Sequence, residues 1–484
     1  MHISALAFTG IKAFAGRQAL DIKPFQLIYG ANSSGKSTIL QALLLLKQSA
    51  PRAYGAESGV LEFRGGSLDL GGYRTFVYGH DVTRPFTLEL GLREYEGTFR
   101  SLFAPDLRVS ITFGYADGDL DQEPVVVGLT LTDAAGAVEF VHDRARHTLM
   151  LANATSSASL VDRWIAASPA IVSTRQRTNP VPMPTEADKL WLRQWARTHG
   201  LVTTQGWVPY WSPTDVGRGK TGRPYGGSLT APRNRILQDF VFSWYNWAFE
   251  FGFTLADALN DVIYVGPLRD FPRRVVTDAS DATGMGVRGE RLVLHLARRQ
   301  DLVDRVNVAF GVLEIPYKLE VKQLRAEGTE EALGDVAVAV LTDVRSGITV
   351  SPADVGFGIS QILPVVVQLV GNVDRLILIE QPEIHLHPKM QSRLADIIIQ
   401  SVTSNRNTVL VETHSEHLLF RAQRRMRDES FDGWNAESLG VAYVMSADGR
   451  SEIRQLAMGK SGELMDPWPD GFFDDRLDDL FASI

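Results

Sequence analysis

The chain contains Gly30-Ala31-Asn32-Ser33-Ser34-Gly35-Lys36-Ser37, which fits the spacing G-x-x-x-x-G-K-S. That chemistry is phosphate binding. The glycines let backbone N–H groups curl around phosphate oxygens, and the lysine reaches the β- and γ-phosphates. The serine hydroxyl ligates Mg²⁺. Asn32, Ser33, Ser34, Gly35, Lys36, Ser37 and Thr38 are therefore candidate contacts for ATP. Such a site needs an acidic partner at the end of another buried strand. Arg375–Glu380 supplies one, which makes Ser37 and Glu380 the candidate Mg²⁺ ligands. Glu380 opens Glu-Gln-Pro-Glu-Ile-His-Leu-His-Pro, and Val409–Val411 runs into Glu412-Thr413-His414-Ser415. His385, His387, His414 and His417 also have spacings open to a zinc site.

The elements around these residues are legible. Phe25–Tyr29 is a short apolar run before the loop. Ile39, Leu40, Leu43 and Leu44 follow it at helical spacing. The runs Thr87–Leu92, Leu107–Phe113, Pro124–Leu131 and Ala137–His142 predict antiparallel strands separated by turn residues. Val262–Val265, Arg375–Glu380 and Thr408–Val411 predict buried strands, and Pro388 opens a helix with Met390, Leu394, Ile397 and Ile398 on one face. Residues 440–456 predict a hairpin turning at Asp448-Gly449.

Composition narrows the function classes. The net charge of -8 argues against non-specific coating of nucleic acid, leaving a local basic patch as the alternative. No cysteine is present, which excludes disulfides, cysteine nucleophiles and thiolate metal sites. No apolar run approaches the ~20 residues of a membrane span. A soluble, cytoplasmic protein with no membrane association is expected. Seven tryptophans fall between residues 151 and 260, and residues 151–250 carry 11 Lys/Arg against 6 Asp/Glu. Arg218, Lys220, Arg223, Arg233 and Arg235 lie close to Trp207, Tyr210, Trp211 and Tyr225. This 207–235 loop could grip DNA or RNA, dock a partner protein, or pack on its own core. Asp117-Gly118-Asp119 reads as a hairpin turn or a nuclease-like acidic pair.

The phosphate loop, the 380–388 run, Glu-Thr-His-Ser, Gly266-Pro267-Leu268-Arg269 and Trp468-Pro469-Asp470-Gly471-Phe472-Phe473-Asp474 together resemble a known family. They are similar to ABC-type ATPases of the SMC, RecF and overcoming-lysogenisation-defect group. The nearest resemblance is to prokaryotic AAA-annotated ATPases ending in a small domain of unknown function, of the kind found in anti-phage defence. The resemblance implies an α/β P-loop head with an antiparallel β-subdomain and an inserted Trp-rich subdomain. It implies that Glu380 binds Mg²⁺ and that His414 contacts the γ-phosphate. It places His385–Pro388 at a dimer interface and makes Asp354–Gln361 a degenerate signature loop. Gly356, Gly358 and Ser360 of that loop would then cap the ATP of a partner subunit.

One position departs from the family pattern. The residue after the metal-binding acid is usually a glutamate that polarises the attacking water, and here it is Gln381. Either Glu383 takes over or ATP binding itself is the signal. Arg269 is open to three roles: nucleotide sensor, dimer bridge or surface salt bridge. The expected segments are 1–150 (first part of the head), 151–260 (locally basic insert), 261–425 (second part of the head) and 426–484 (small C-terminal domain with an acidic tail). With 70 residues after His414, no fused nuclease is expected. The expected function is an ATP-driven, dimerising switch, a homodimer or higher oligomer that controls a separately encoded effector nuclease. The alternative is a DNA-clamping repair ATPase of RecF type; a transporter subunit is disfavoured.

Overall fold

Apolar–polar alternation and helical spacing each become the expected element. In chain order the computed structural model has β1 (His2–Thr9), β2 (Gln18–Asp21), β3 (Phe25–Gly30) and α1 (Lys36–Ser49). An antiparallel run follows: β4 (Phe86–Arg93), β5 (Leu107–Gly114), β6 (Val125–Asp133), β7 (Gly136–Asp143) and β8 (Thr148–Leu151). Then come α2 (Ala154–Thr174), α3 (Glu186–Thr198), β9 (Thr203–Gln205), β10 (Val208–Tyr210) and α4 (Pro232–Asn260). The remainder is β11 (Ile263–Val265), β12 (Val276–Asp278), α5 (Leu292–Ala297), α6 (Gln300–Leu313), β13 (Tyr317–Leu324), β14 (Asp335–Asp343), β15 (Thr349–Val350), α7 (Phe357–Gly371), β16 (Leu376–Glu380), α8 (Pro388–Asn405), β17 (Thr408–Glu412), α9 (Glu416–Arg427), β18 (Leu439–Ala447) and β19 (Arg450–Leu456). The structure describes residues 2–51, 60–66, 68–93, 102–104, 106–116, 120, 123–143, 148–174, 182–199, 202–205, 207–210, 232–270, 273–278, 284–324, 335–428 and 431–469. The chain forms two units, Met1–Asp21 with Thr38–Asp261 and Ile22–Ser37 with Val262–Ile484.

The first unit is built on a seven-stranded sheet in the order β2-β1-β4-β5-β6-β7-β8. Leu88 pairs with Ile111 and Leu90 with Val109, all buried, so one face of the sheet makes core. The Trp-rich stretch packs against that sheet. On α4, Trp244 stacks on Trp247 at 4.6 Å and Trp247 on Phe251 at 5.1 Å. Phe140 of β7 lies 5.7 Å from Trp244, and Phe103 lies 5.0 Å from Trp247. Arg163 on α2 grips both carboxylate oxygens of Asp133 at 2.5 Å and lies over the Phe103 ring. That pair is almost wholly buried, and its bidentate geometry satisfies both charges.

The second unit holds a six-stranded sheet in the order β11-β16-β17-β3-β18-β19. All neighbours pair in parallel except β18 with β19. Leu-Ile-Leu-Ile-Glu in β16 and Thr-Val-Leu-Val-Glu in β17 are buried almost throughout. Continuous apolar runs of this kind suit parallel strands covered on both faces. Ile377, Ile379, Val409 and Val411 share one core with Ile362 and Val366 of α7 and with Leu394, Ile397 and Ile398 of α8. A smaller antiparallel sheet runs β12-β14-β13, with β15 on β14. The 439–456 hairpin turns at Asp448 and Gly449, both with positive φ. Through β18 it joins the same sheet as β3, so this part of the 426–484 segment extends the α/β core. Among the described residues no helix is long and apolar enough to cross a membrane.

Trp247 touches three aromatic neighbours and is fully buried. Trp247→Ala is expected to destabilise the chain by about 3–5 kcal/mol through lost transfer energy and the cavity left behind. Urea unfolding followed by circular dichroism measures this; a loss below about 1 kcal/mol would show that the stack is not core.

Candidate phosphate-binding site

The phosphate loop begins where β3 ends, at the carboxyl edge of the parallel sheet, a usual place for ligand sites in such sheets. Gly30 (φ 146°) and Gly35 (φ 103°) take backbone conformations that favour glycine. A Cβ on Gly30 would lie 2.5 Å from the Val444 carbonyl oxygen and 2.8 Å from Ser34 Oγ. Lys36 curls beneath the loop, and its Nζ donates to the carbonyls of Gly30 (3.0 Å) and Ala31 (2.8 Å). Burial lowers its pKa, against the opposing pull of Glu412 and Glu383. Asn32 and Ser33 are exposed on the loop's rim, Gly35 and Ser37 are half-buried, and Thr38 is buried. Ser34 is 1% exposed, and its Oγ has no hydrogen-bond partner among the described residues.

The acidic edge lies on the neighbouring strands. Register places Glu380 beside Glu412, and Glu412 beside Ile28. Ser37 Oγ donates to Glu412 Oε1 at 3.0 Å, whereas Glu380 Oε1 accepts from the Tyr264 hydroxyl at 2.8 Å. Glu383 Oε1 accepts from the His414 backbone N–H at 2.7 Å. Burial raises the Glu383 pKa, and its hydrogen bonds hold it partly back. Burial also raises Glu412, opposed by Ser37 and Lys36. Burial lowers His414, and Lys36 lowers it further. Gln381 follows with φ 45°, and its N–H donates to the Glu412 carbonyl at 2.7 Å.

Arg269 is not a surface salt bridge. It is 5% exposed and donates to the carbonyls of Glu380 (2.7 Å) and Gln381 (3.3 Å). Burial lowers its pKa to about 10, with Glu383 and Glu380 opposing. Arg269 thus braces the acidic turn from below. Gln361 Nε2 reaches the Arg269 carbonyl at 3.4 Å. Gly356 caps the start of α7, and a Cβ on Gly358 would lie 2.7 Å from the His385 carbonyl oxygen. Gly358 and Gln361 therefore meet the 385 turn and Arg269, and Ser360 is buried on the same helix start. His387 caps α8, its Nδ1 accepting from the Lys389 N–H.

Glu412 and Tyr264 received no role from the sequence. For Glu412 the signal was a carboxylate ending a buried strand, as Glu380 does; Tyr264, inside β11, gave no such signal. The residues present suit a nucleoside triphosphate with Mg²⁺: the glycine cradle excludes a Cβ, and Ser34 and Glu412 hold buried oxygens without partners among the described residues. Among the described residues no group of three or more His, Asp or Glu side chains is placed to hold a metal. Mg²⁺ keeps several waters and needs only one or two protein carboxylates. Of the basic and aromatic residues, Arg233 pairs with Asp188 at 3.0 Å and lies over Trp191. Trp207 is buried, its Nε1 donating to the Leu46 carbonyl. Arg218, Lys220, Arg223, Trp211, Tyr225, Asp117–Asp119 and the 470–484 tail lie outside the described residues.

The raised Glu383 carboxyl has a sign that can be tested. The folded chain holds this proton to higher pH than the unfolded chain. The associated stability is present near the ordinary carboxylate pKa of about 4.3 and is lost as pH rises through the raised value. Glu383→Gln, which keeps an oxygen for the His414 N–H, is therefore expected to melt above wild type at pH 8. The gap should shrink toward acid. A gap that stays constant across melting curves taken between those limits would remove Glu383 as the source.

Residues 25–116 and 278–419 match the family model described as an AAA domain, putative AbiEii toxin, Type IV TA system. Residues 435–482 match a family of proteins of unknown function, DUF3696. No curated protein matches the chain. Solved SMC heads are among the structures similar to the chain, at low identity. One, bound to the C-winged helix domain of ScpA, is 14% identical over 94% of this chain and 98% of that one, with a TM-score of 0.41. A head with an extended coiled coil, bound to the C-terminal domain of ScpA derived from Pyrococcus furiosus, is 12% identical over 94% and 96%, at 0.40. The head domain from Thermotoga maritima is 10% identical over 95% and 100%, at 0.35. Two matched segments that are separated in the sequence by residues 117–277 supply neighbouring strands of one sheet, and together they carry the similarity to an AAA domain.

Proposed function

We propose that the chain binds Mg·ATP at residues 30–38, hydrolyses it, and uses the cycle to pair and release two heads. The observation that carries this reading is the tie between Ser37, at the start of α1, and Glu412, at the end of β17, with Lys36 folded beneath the loop. When bound, Mg·ATP supplies the phosphoanhydride and a cation that offsets its charge. Lys36 and the loop N–H groups hold the phosphates, and Ser37 and Glu380 serve the cation. Gln381 cannot accept a proton, because an amide is not a base at neutral pH. Glu383 can, and burial moves its pKa toward the range where a general base works best. Its bond from the His414 N–H fixes the carboxylate beside the residue proposed to meet the γ-phosphate.

Gly356, Gly358 and Ser360 act on the nucleotide of a second copy, so ATP closes a homodimer. The matched family's description as a putative AbiEii toxin of a Type IV TA system supports a role in bacterial defence. The chain there senses or regulates a separately encoded effector such as a nuclease.

Steady-state phosphate release tests this reading. Lys36→Ala is expected to lose ATP binding. Glu383→Gln should still bind ATP while turnover drops about 10²–10⁴-fold. Wild type that binds ATP without turning it over would make the nucleotide a holding signal. Wild type that does not bind ATP would remove the reading.

A further inference from the structure

The inference rests on the phosphate-loop reading and concerns which carboxylate organises the cation. A serine hydroxyl carries one hydrogen and two lone pairs. To ligate a cation through a lone pair, it must give the hydrogen to an acceptor. In this chain the acceptor is Glu412 Oε1, 3.0 Å from Ser37 Oγ. Glu380, the acid at the end of β16, accepts instead from the Tyr264 hydroxyl. The two carboxylates sit side by side in register, yet only Glu412 is tied to the phosphate-loop serine among the described residues.

A second observation points to a ligand. Glu412 is 3% exposed, and its Oε2 has no hydrogen-bond partner among the described residues. Burying a carboxylate oxygen unpaired is costly. Ser34 Oγ, at the start of the same loop turn, is buried and likewise without a partner. The nearby charges are Glu380, Glu383 and Glu412 against Lys36 and Arg269, which leaves room for one more positive group.

We infer that Glu412 is the metal-organising carboxylate of this site: it takes the Ser37 hydrogen and offers its second oxygen to the water shell of a nucleotide-bound divalent cation. Glu380 then plays the lesser part, held by Tyr264 at the edge of the shell. Glu412 works through Ser37 and the cation's water, so it is a positioning residue.

The test uses the full chain with methylanthraniloyl-labelled ATP and Mn²⁺. Binding of the labelled nucleotide is measured in EDTA and in excess Mn²⁺, and Mn²⁺ affinity is read by electron paramagnetic resonance. Glu412→Gln is expected to weaken Mn²⁺ binding to the nucleotide complex by about 10–100-fold. Glu380→Gln should weaken it clearly less. Loss of Mn²⁺ in Glu380→Gln with retention in Glu412→Gln, or equal effects in both, overturns the inference while the phosphate loop stands. Wild type that binds no labelled ATP with or without Mn²⁺ overturns both. Melting curves check folding. Should Glu412→Gln fail to fold, Glu412→Asp, which keeps the charge but withdraws it by one methylene, is expected to show a loss of Mn²⁺ affinity larger than that of Glu380→Gln; a smaller loss overturns the inference.

Discussion

Parallel pairing of β3 with β17 places Ser37 within hydrogen-bond reach of Glu412, although 375 positions separate them in the chain. The rest of the site depends on this pairing. β16 on the far side of β17 brings Glu380 level with Glu412, and the turn after it delivers Glu383 to the His414 N–H. A slip of one residue in β17 would turn Glu412 to the opposite face of the sheet. The apolar runs of β16 and β17 resist that slip, because α7 and α8 help build the core around their side chains.

Crowding three glutamates at one sheet edge costs free energy, and the surroundings oppose that cost with specific groups. Arg269 answers from beneath through the carbonyls of Glu380 and Gln381, and Lys36 answers from the loop. Backbone conformations uncommon for side-chain-bearing residues gather in the same place: Ser33, Gln381 and His385 all have positive φ. Each such residue stores of order 1–3 kcal/mol, and strain of this kind persists where the surrounding structure over-determines it. Gly358 lets α7 approach the His385 carbonyl, so the helix start and the acidic turn are locked together. The acidic turn thus lies against Gly358, in the segment proposed to meet a second head.

The first unit solves a different problem. In sequence its tryptophans and basic residues are open to nucleic acid, a partner protein or packing on the protein's own core. In the fold, Trp164, Trp207, Trp244 and Trp247 are core, and Arg163 and Arg233 are tied to Asp133 and Asp188. An aromatic side chain carries 150–250 Å² of burial, so helices placed against a sheet bury it first. These described residues are thus engaged in core packing and ion pairs.

The sequence by itself determined what is local. Gly30–Ser37 declares a phosphate loop because the glycines, the lysine and the helix start act over eight consecutive residues. The strands between Phe86 and Asp143, and the hairpin at Asp448-Gly449, follow from alternation and turn chemistry in the same way. Glu380 could be named because it ends an apolar strand, and Glu383 because the family resemblance expects a glutamate where Gln381 stands. Tertiary structure decided which acid meets Ser37, that Arg269 is buried under the acidic turn, and that β18 extends the sheet of β3. Those outcomes depend on strand order and on which carboxylate rotamer faces the loop. Strand order is set by how helices cover the sheet over hundreds of residues, and no short spacing in the chain encodes it.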